Sequence, residues 1–401
     1  MKIPFSPPYI TEAVIQEVNS ALESGWITTG PKVKRLEELV CKYTKAPNTL
    51  CVNSATSGLM LALKWYGIGP GDEVIVPAYT YAATALAVIH VGATPILVDV
   101  ESDFNISSKQ IEKVITKNTK AIIPVDIAGW PCNYTEIYTV INNKKALFKP
   151  DNENQEKLGR ILMISDSAHS IGATYNNDPL GMVTDITVFS FHAVKNITTA
   201  EGGAVCLNLP KPFSNQDEYD YLRCFSLNGQ TKDAFTKSKA GGWRYDIIYP
   251  GLKINMPDVL AAIGVAQLPE YFDNTLRNRV EMYEFYHKFF ETKSWAILPP
   301  YKSEDKKSSC HLYALRIKDI SESTRDTIIK NISEEGVAVN VHFQPLPMLT
   351  LFKDMGFNIE HFPISYNNYK SEISLPIYPQ LTKKELNYIV NTVSNAVESV
   401  I

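Results

Sequence analysis

The 401-residue chain has little of what would send it to a membrane, to nucleic acid or to a metal ion. No apolar run approaches the roughly 20 residues needed to span a bilayer. The longest, such as Ala82 to Val91, are the size of a buried strand or helix and are interrupted. The opening stretch MKIPFSPPYITEAV has no apolar core of the kind a secretory leader carries, so no leader is expected. An excess of one charge is missing too. Lys and Arg number 39 against 43 Asp and Glu, a formal net charge of -4, which gives no support for a nucleic-acid or anionic-membrane partner. Six cysteines (Cys41, Cys51, Cys132, Cys206, Cys224, Cys310) lie far apart without a CxxC. They read as reduced core thiols of a cytoplasmic protein, not as disulfides or a zinc site. The seven histidines contain neither HExxH nor HxH, so no metal site is expected, and His311 and His342 read as ordinary strand histidines. A nicotinamide enzyme would carry G-x-G-x-x-G between a strand and a helix, and that position reads NSATSG.

What is present is an ordinary globular composition, 45% hydrophobic and 20% charged, in a chain long enough for two domains. Thr11 can cap a first amphipathic helix, and GWITTGP (Gly25 to Pro31) breaks it from a second that begins near Pro31. TLCVN reads as a strand and SATSGLMLALKWYG as the helix after it, so Ser54 to Ser57 open a helix where free N–H groups can hold an anion. Strand, helix and strand then alternate through Val74 to Pro77, Thr80 to Val91 and Pro95 to Val100. This succession predicts a mostly parallel sheet flanked by helices. Further strands are expected at Thr119 to Val125, Arg160 to Ile164 and Ile186 to Phe191, with a polar excursion over 142–157. Gln216 to Gly242 is polar, and a long helical region broken at Pro257 and Pro269 follows it. From Leu268 the composition shifts to a smaller α/β unit. Its strands are expected at Cys310 to Ile317 and Ala338 to Leu346, and its helices at Glu322 to Glu335 and Thr382 to Val400. The expected division is therefore 1–267 and 268–401.

The chemistry concentrates between Asp166 and Val205. A strand ends at Ser165-Asp166, placing a carboxylate at the C-terminal edge of a parallel sheet, where ligands bind. A second apolar strand ends near Ser190 and hands the chain to Lys195 in a non-periodic segment, before the Gly202-Gly203 turn and another strand. A single lysine is ordinarily a solvated surface charge. A lysine between two buried strands must either reach water or be chemically employed. A lysine to bind an aldehyde covalently and a carboxylate to hold a pyridine nitrogen protonated are the two groups a pyridoxal phosphate site needs.

The strings DSAHSIGA and FSFHAVKNITTAEGGA, with further pieces from Gly25 to Pro376, resemble the DegT/DnrJ-type sugar-nucleotide aminotransferases, a branch of the fold-type I pyridoxal phosphate enzymes. The resemblance implies a large pyridoxal phosphate domain with a mostly parallel sheet, plus a smaller C-terminal α/β domain. It implies Lys195 as the cofactor-bearing base, Asp166 at the ring nitrogen and His169 near the ring. Ala55, Thr56 and Ser190 would bind the phosphate, and Tyr81 would stack on the pyridine. Trp26 and Thr28, in GWITTGP, become sugar-nucleotide contacts. Asn255, in PGLKINMPD, would reach the cofactor phosphate of a neighbouring subunit, which implies a homodimer with shared sites; read alone, Asn255 would cap the helix starting near Pro257. The implied reaction moves an amino group from glutamate to a UDP- or dTDP-4-keto-6-deoxyhexose, for surface polysaccharide or glycan synthesis. Relatives that act as dehydratases carry histidine in place of the lysine, and a non-catalytic regulator would need Lys195 or Asp166 absent or unused. Both residues are present. The family often has histidine shortly after its VHY-x-P motif, where this chain has Pro347.

Overall fold

A computed structural model describes residues 1–232 and 244–401; the end of the Gln216 to Gly242 stretch lies outside the described residues. The predicted alternation of strand and helix is what the chain builds. The central sheet holds β1 (Asn48–Val52), β2 (Glu73–Pro77), β3 (Thr94–Val98), β4 (Thr119–Ile122), β5 (Leu162–Asp166), β8 (Ile186–Ser190) and β9 (Gly203–Leu207); β6 (Thr174–Tyr175) and β7 (Asp178–Pro179) form a small hairpin beside it. The strand order is β1-β9-β8-β5-β4-β2-β3. Within it β9 alone runs antiparallel to its two neighbours, while β8, β5, β4, β2 and β3 pair in parallel. Parallel strands need helical crossovers, and these cover both faces with apolar cores. One core packs Leu59, Leu63 and Val88 against Val74, Ile164 and Val205; the other packs Leu36, Val40 and Ile137 against Cys51, Ile75 and Met163.

The smaller C-terminal unit has a three-stranded antiparallel sheet of β10 (Ala296–Ile297), β12 (Tyr313–Ile317) and β13 (Glu372–Leu375); β11 (Lys306–Lys307) pairs instead with β6. Its own core joins Tyr286, Phe290, Ile328, Ile373 and Val393. The helices Glu322–Glu334 and Lys383–Glu398 fall where expected, the second opened by Thr382 and Glu385 in a reciprocal capping box. Position 268 lies inside the helix Asp258–Glu270.

Three expectations need correction. Ala338 to Leu346 is not a strand: it makes an isolated bridge from Asn340 to Ser374 and then runs irregularly, because Pro345 and Pro347 supply no N–H for a ladder. The region before Pro257 is likewise irregular from residue 244. Pro269, expected to break a helix, lies inside Asp258–Glu270, and the disturbance is absorbed by a π turn at Tyr271–Thr275. The polar 142–157 stretch is also less detached than its composition suggests. Asn152 and the buried Gln155 both donate to the Tyr66 carbonyl, and Gln155 thereby anchors the short helix Glu153–Leu158 to the body of the protein.

Candidate active site

At the C-terminal edge of the sheet lies a cavity of about 480 Å³ whose walls include Ala55, Thr56, Tyr81, Asp166, His169, Ser190 and Lys195. Strand β5 delivers Asp166 to its floor. The carboxylate is buried, with Oδ2 accepting from Thr84 Oγ1 at 2.7 Å and Oδ1 from the Ala168 N–H at 3.2 Å. Burial pushes its pKa up, while these hydrogen bonds and the Lys195 charge pull it down.

Lys195 sits on a loop that the sequence pins at several points. Phe191 N–H reaches the Gly202 carbonyl at 2.9 Å, Thr199 N–H the Phe191 carbonyl at 2.8 Å, and Thr198 N–H the Gln267 side chain at 2.9 Å. The lysine N–H itself closes on the His192 carbonyl at 2.9 Å. Desolvation lowers the amine to about 8, with Asp166 opposing the shift, so a neutral amine is within reach near physiological pH.

The helix Ala55–Trp65 aims its N-terminus into the same space. Ser54 Oγ caps it by accepting from Ser57 N–H, leaving the first-turn N–H groups for an anion. Gly203 makes this possible: a Cβ there would stand 2.7 Å from Ala55 N and 2.8 Å from Ser54 C. Ser190, at the end of β8, lies against that helix start in the cavity wall.

His169 follows β5 in a turn and is buried. Its Nδ1 accepts the Ala128 N–H at 3.2 Å, so the proton is on Nε2 and that edge is a donor. Burial, Lys195 and His342 all hold its pKa well below the usual histidine range. Tyr81 stands at the mouth, 65% exposed, its ring 5.8 Å from Phe343. The exposed aromatic face, the donor-rich cradle, the buried carboxylate and the near-neutral amine fit pyridoxal phosphate. Beneath them the buried Asp126 is surrounded by donors from Tyr134, Ser167, Ser170 and Cys132, a network that stiffens the floor.

Two histidines expected to be ordinary strand residues line this cavity. His311 donates from Nδ1 to Asn196 Oδ1 at 2.8 Å and lies 4.5 Å from the His169 ring. His342 comes in on the irregular stretch that replaces the expected strand. Phe5 also lines the wall, stacked 5.4 Å from His342. Nothing in local periodicity marks these residues, because they arrive from distant chain segments.

Trp26, Thr28 and Asn255 are not part of this wall. They lie together just outside it, where Asn255 bridges Val52 at the end of β1. Trp26 Nε1 donates to the Thr29 carbonyl at 3.2 Å, Asp258 N–H to the Thr28 carbonyl at 3.3 Å, and Asn255 to the Thr29 hydroxyl. Asn255 does not cap the following helix, which begins after Pro257 without a side-chain cap. Asp258 instead accepts from the N–H groups of Gly30, Lys32 and Val33, capping the helix Pro31–Thr44 from across the fold.

The sequence profile of the DegT/DnrJ/EryC1/StrS aminotransferase family matches residues 8–394. SpsC of Bacillus subtilis (strain 168), a spore coat polysaccharide biosynthesis protein, is 34% identical over 401 residues, covering 99% of this chain and 97% of that protein. The solved structure of Spr1654 from Streptococcus pneumoniae, named as a sugar aminotransferase and in its PMP form, superposes with a TM-score of 0.96 at 43% identity over 100% of both chains. Helicobacter pylori PseC, an aminotransferase involved in the biosynthesis of pseudoaminic acid, gives 0.87 at 26% identity, again over 100% of both.

Proposed function

This chain belongs to the DegT/DnrJ/EryC1/StrS aminotransferase family, whose members use pyridoxal phosphate, and from that premise we propose that it transfers an amino group from glutamate to a nucleotide-linked keto sugar. The observation that carries the reading is the convergence of the Lys195 amine, the Asp166 carboxylate and the Ala55–Trp65 helix start on one cavity. Bound pyridoxal phosphate supplies an aldehyde for amine capture and a ring that takes up the electrons left when a C–H proton departs. Lys195 would anchor it and, as the neutral amine, would be the group that accepts and returns that proton. Asp166 would keep the ring nitrogen protonated. The Ala55 and Thr56 N–H groups and the Ser190 hydroxyl would hold the phosphate, Tyr81 would stack on the ring, and His169 would offer its Nε2–H as a donor.

The acceptor we propose is a UDP- or dTDP-4-keto-6-deoxyhexose, destined for a surface polysaccharide or glycan; the part SpsC takes in spore coat polysaccharide biosynthesis supports that direction. The unit is a homodimer in which Trp26, Thr28 and Asn255 complete the partner's cavity, a reading supported by their grouping together outside the wall of their own cavity. Incubating the enzyme with L-glutamate and a panel of nucleotide-linked keto sugars tests the reading. One or more members should become aminated as 2-oxoglutarate accumulates. Transfer to simple keto acids with no amination of any nucleotide sugar would overturn it.

A further inference from the structure

His342, Ser374 and Glu372 have no part in the reading above, yet they lead from the cavity wall to a buried carboxyl. His342 Nδ1 lies 2.9 Å from Ser374 Oγ, and Ser374 Oγ lies 2.5 Å from Glu372 Oε1. Glu372 Oε2 accepts the His342 main-chain N–H at 2.9 Å. The alternation of β13 puts Glu372 and Ser374 on one face, and the Asn340–Ser374 bridge brings the chain carrying His342 beside them. Glu372 and Ser374 are both fully buried. Among the described residues the His342 Nε2 has no hydrogen-bonding partner, and it is the edge left for the cavity that His342 lines.

A hydroxyl between a ring nitrogen and a carboxyl can pass a proton. With Glu372 ionised, Ser374 donates to it and accepts from Nδ1–H, so Nε2 presents a lone pair to the cavity. When Nε2 takes a proton, Nδ1 can release its own to Ser374, and Ser374 its own to Glu372. The result is a neutral carboxyl and a neutral imidazole with hydrogen on Nε2, and no cation remains on the ring. Burial and the Lys195 charge favour that neutral ring, holding His342 down at about 4. Burial pushes Glu372 up to about 8, against the hydrogen bonds from Ser374 and His342 and the charges of Arg325 and Arg316. The buried Tyr79 phenol is a further titratable group near this carboxyl, and His169 and His311 stand near the His342 ring.

An amino acid arrives as an ammonium and must lose a proton before its nitrogen can attack. We propose that His342 Nε2 accepts that proton, that Ser374 relays it, and that Glu372 stores it until the amine product takes it back. In the first half-reaction the donor R–NH3⁺ and the Glu372 carboxylate become R–NH2 and a neutral carboxyl. In the second, that carboxyl returns the proton to the newly formed amine. His342 is the group touching substrate; Ser374 and Glu372 are positioning residues. The inference rests on the aminotransferase reading but not on the identity of the sugar.

The test is the single-turnover reaction of holoenzyme with L-glutamate, followed by loss of the visible absorbance of lysine-bound pyridoxal phosphate across a range of pH. Glu372→Gln cannot store the proton, and Ser374→Ala cuts the relay with a smaller change in packing. Both should slow this half-reaction about 100-fold near pH 8, where Glu372 becomes ionised and the donor is still an ammonium, within the range of lost general base catalysis. The defect should shrink as the pH rises and the donor arrives already neutral. Variants that fold and react like the wild type at pH 8, or that are slowed equally at every pH, overturn the relay alone. A wild-type enzyme unmoved by L-glutamate overturns the donor reading and the relay's load with it.

Discussion

The cavity around Lys195 and the surface around Asn255 are built from the same chain to different standards of completeness. In the cavity nearly every polar group has its counterpart within the chain: Asp166 meets Thr84 and Ala168, and His169 meets Ala128. At the Asn255 surface the groups also bond one another, through Asn255 to Thr29 and Thr29 to the Met256 carbonyl. They do so beside apolar side chains left in the open. Ile247 and Ile248 are 52% and 48% exposed, and their segment pairs with 227–230 next to the loop that carries Asn255. Exposed apolar side chains grouped on one surface are what an interface between chains would cover, as the proposed homodimer requires. The contrast supports reading the first region as chemistry held in one chain and the second as a contribution to another.

The largest effect expected is at the centre of the first region. Lys195→Ala should lower turnover by at least about 100- to 10,000-fold, the range of a lost general acid and base. Circular dichroism and the melting temperature should stay near wild type, because the lysine is half-buried and not a core filler. Near-normal turnover would remove Lys195 from the site. Next comes Asp166→Asn, which keeps the shape and deletes the charge. A lost charge-assisted hydrogen bond of about 1.5–3 kcal/mol corresponds to about a 10- to 150-fold fall in rate, with cofactor still retained in gel filtration.

Mixing sharpens the comparison directly. Lys195→Ala and Asn255→Ala chains, each impaired alone, should recover activity after verified subunit exchange. One site of each mixed dimer then carries both defects and the other neither, so roughly a quarter of wild-type sites return at statistical exchange. Exchange without recovery would place Asn255 in its own chain's service.

A smaller effect concerns pH. The Lys195 pKa is lowered from 10.5 to about 8, so its amine is charged below that value and neutral above it. The rate at which cofactor-free enzyme takes up pyridoxal phosphate should therefore rise between pH 7 and 9, with a midpoint near 8. Asp166 raises the lysine's pKa, so Asp166→Asn should move that midpoint downward. The smallest effect belongs to the second region. Asp258→Ala removes the cap of the helix Pro31–Thr44 and should cost about 1 kcal/mol, read as a lower melting temperature.

Lys195 and Asp166 were legible because each sits where an apolar strand stops, a pattern carried by a few adjacent residues. The Ala55–Trp65 helix start was legible for the same reason: Ser54 caps it in sequence as in space. His342 was not. Ala338 to Leu346 alternates like a strand, and only the paired prolines and the distant partner Ser374 show why it leaves the sheet. Glu372 was equally silent, since its meaning depends on burial and on a ring 30 residues away in sequence. The Asp258 cap escaped for a related reason. A carboxylate that serves a helix more than 200 residues earlier leaves no mark on its neighbours. Pro269 misled in the opposite direction, as a strong local signal that the surrounding helix overrode.

The first nine residues carry a consequence for handling the protein. Ile3 N–H bonds the Gly336 carbonyl and its own carbonyl accepts from Ala338, Ser6 Oγ donates to the Val194 carbonyl beside Lys195, and Gln267 holds the Tyr9 carbonyl. Phe5, between these ties, forms a wall of the cavity and stacks on His342. Trimming this segment to aid expression or crystal growth would leave the central sheet in place, take Ile3 out of the C-terminal core and breach the reaction chamber on one side, so that a purified, folded preparation would register as a poor catalyst.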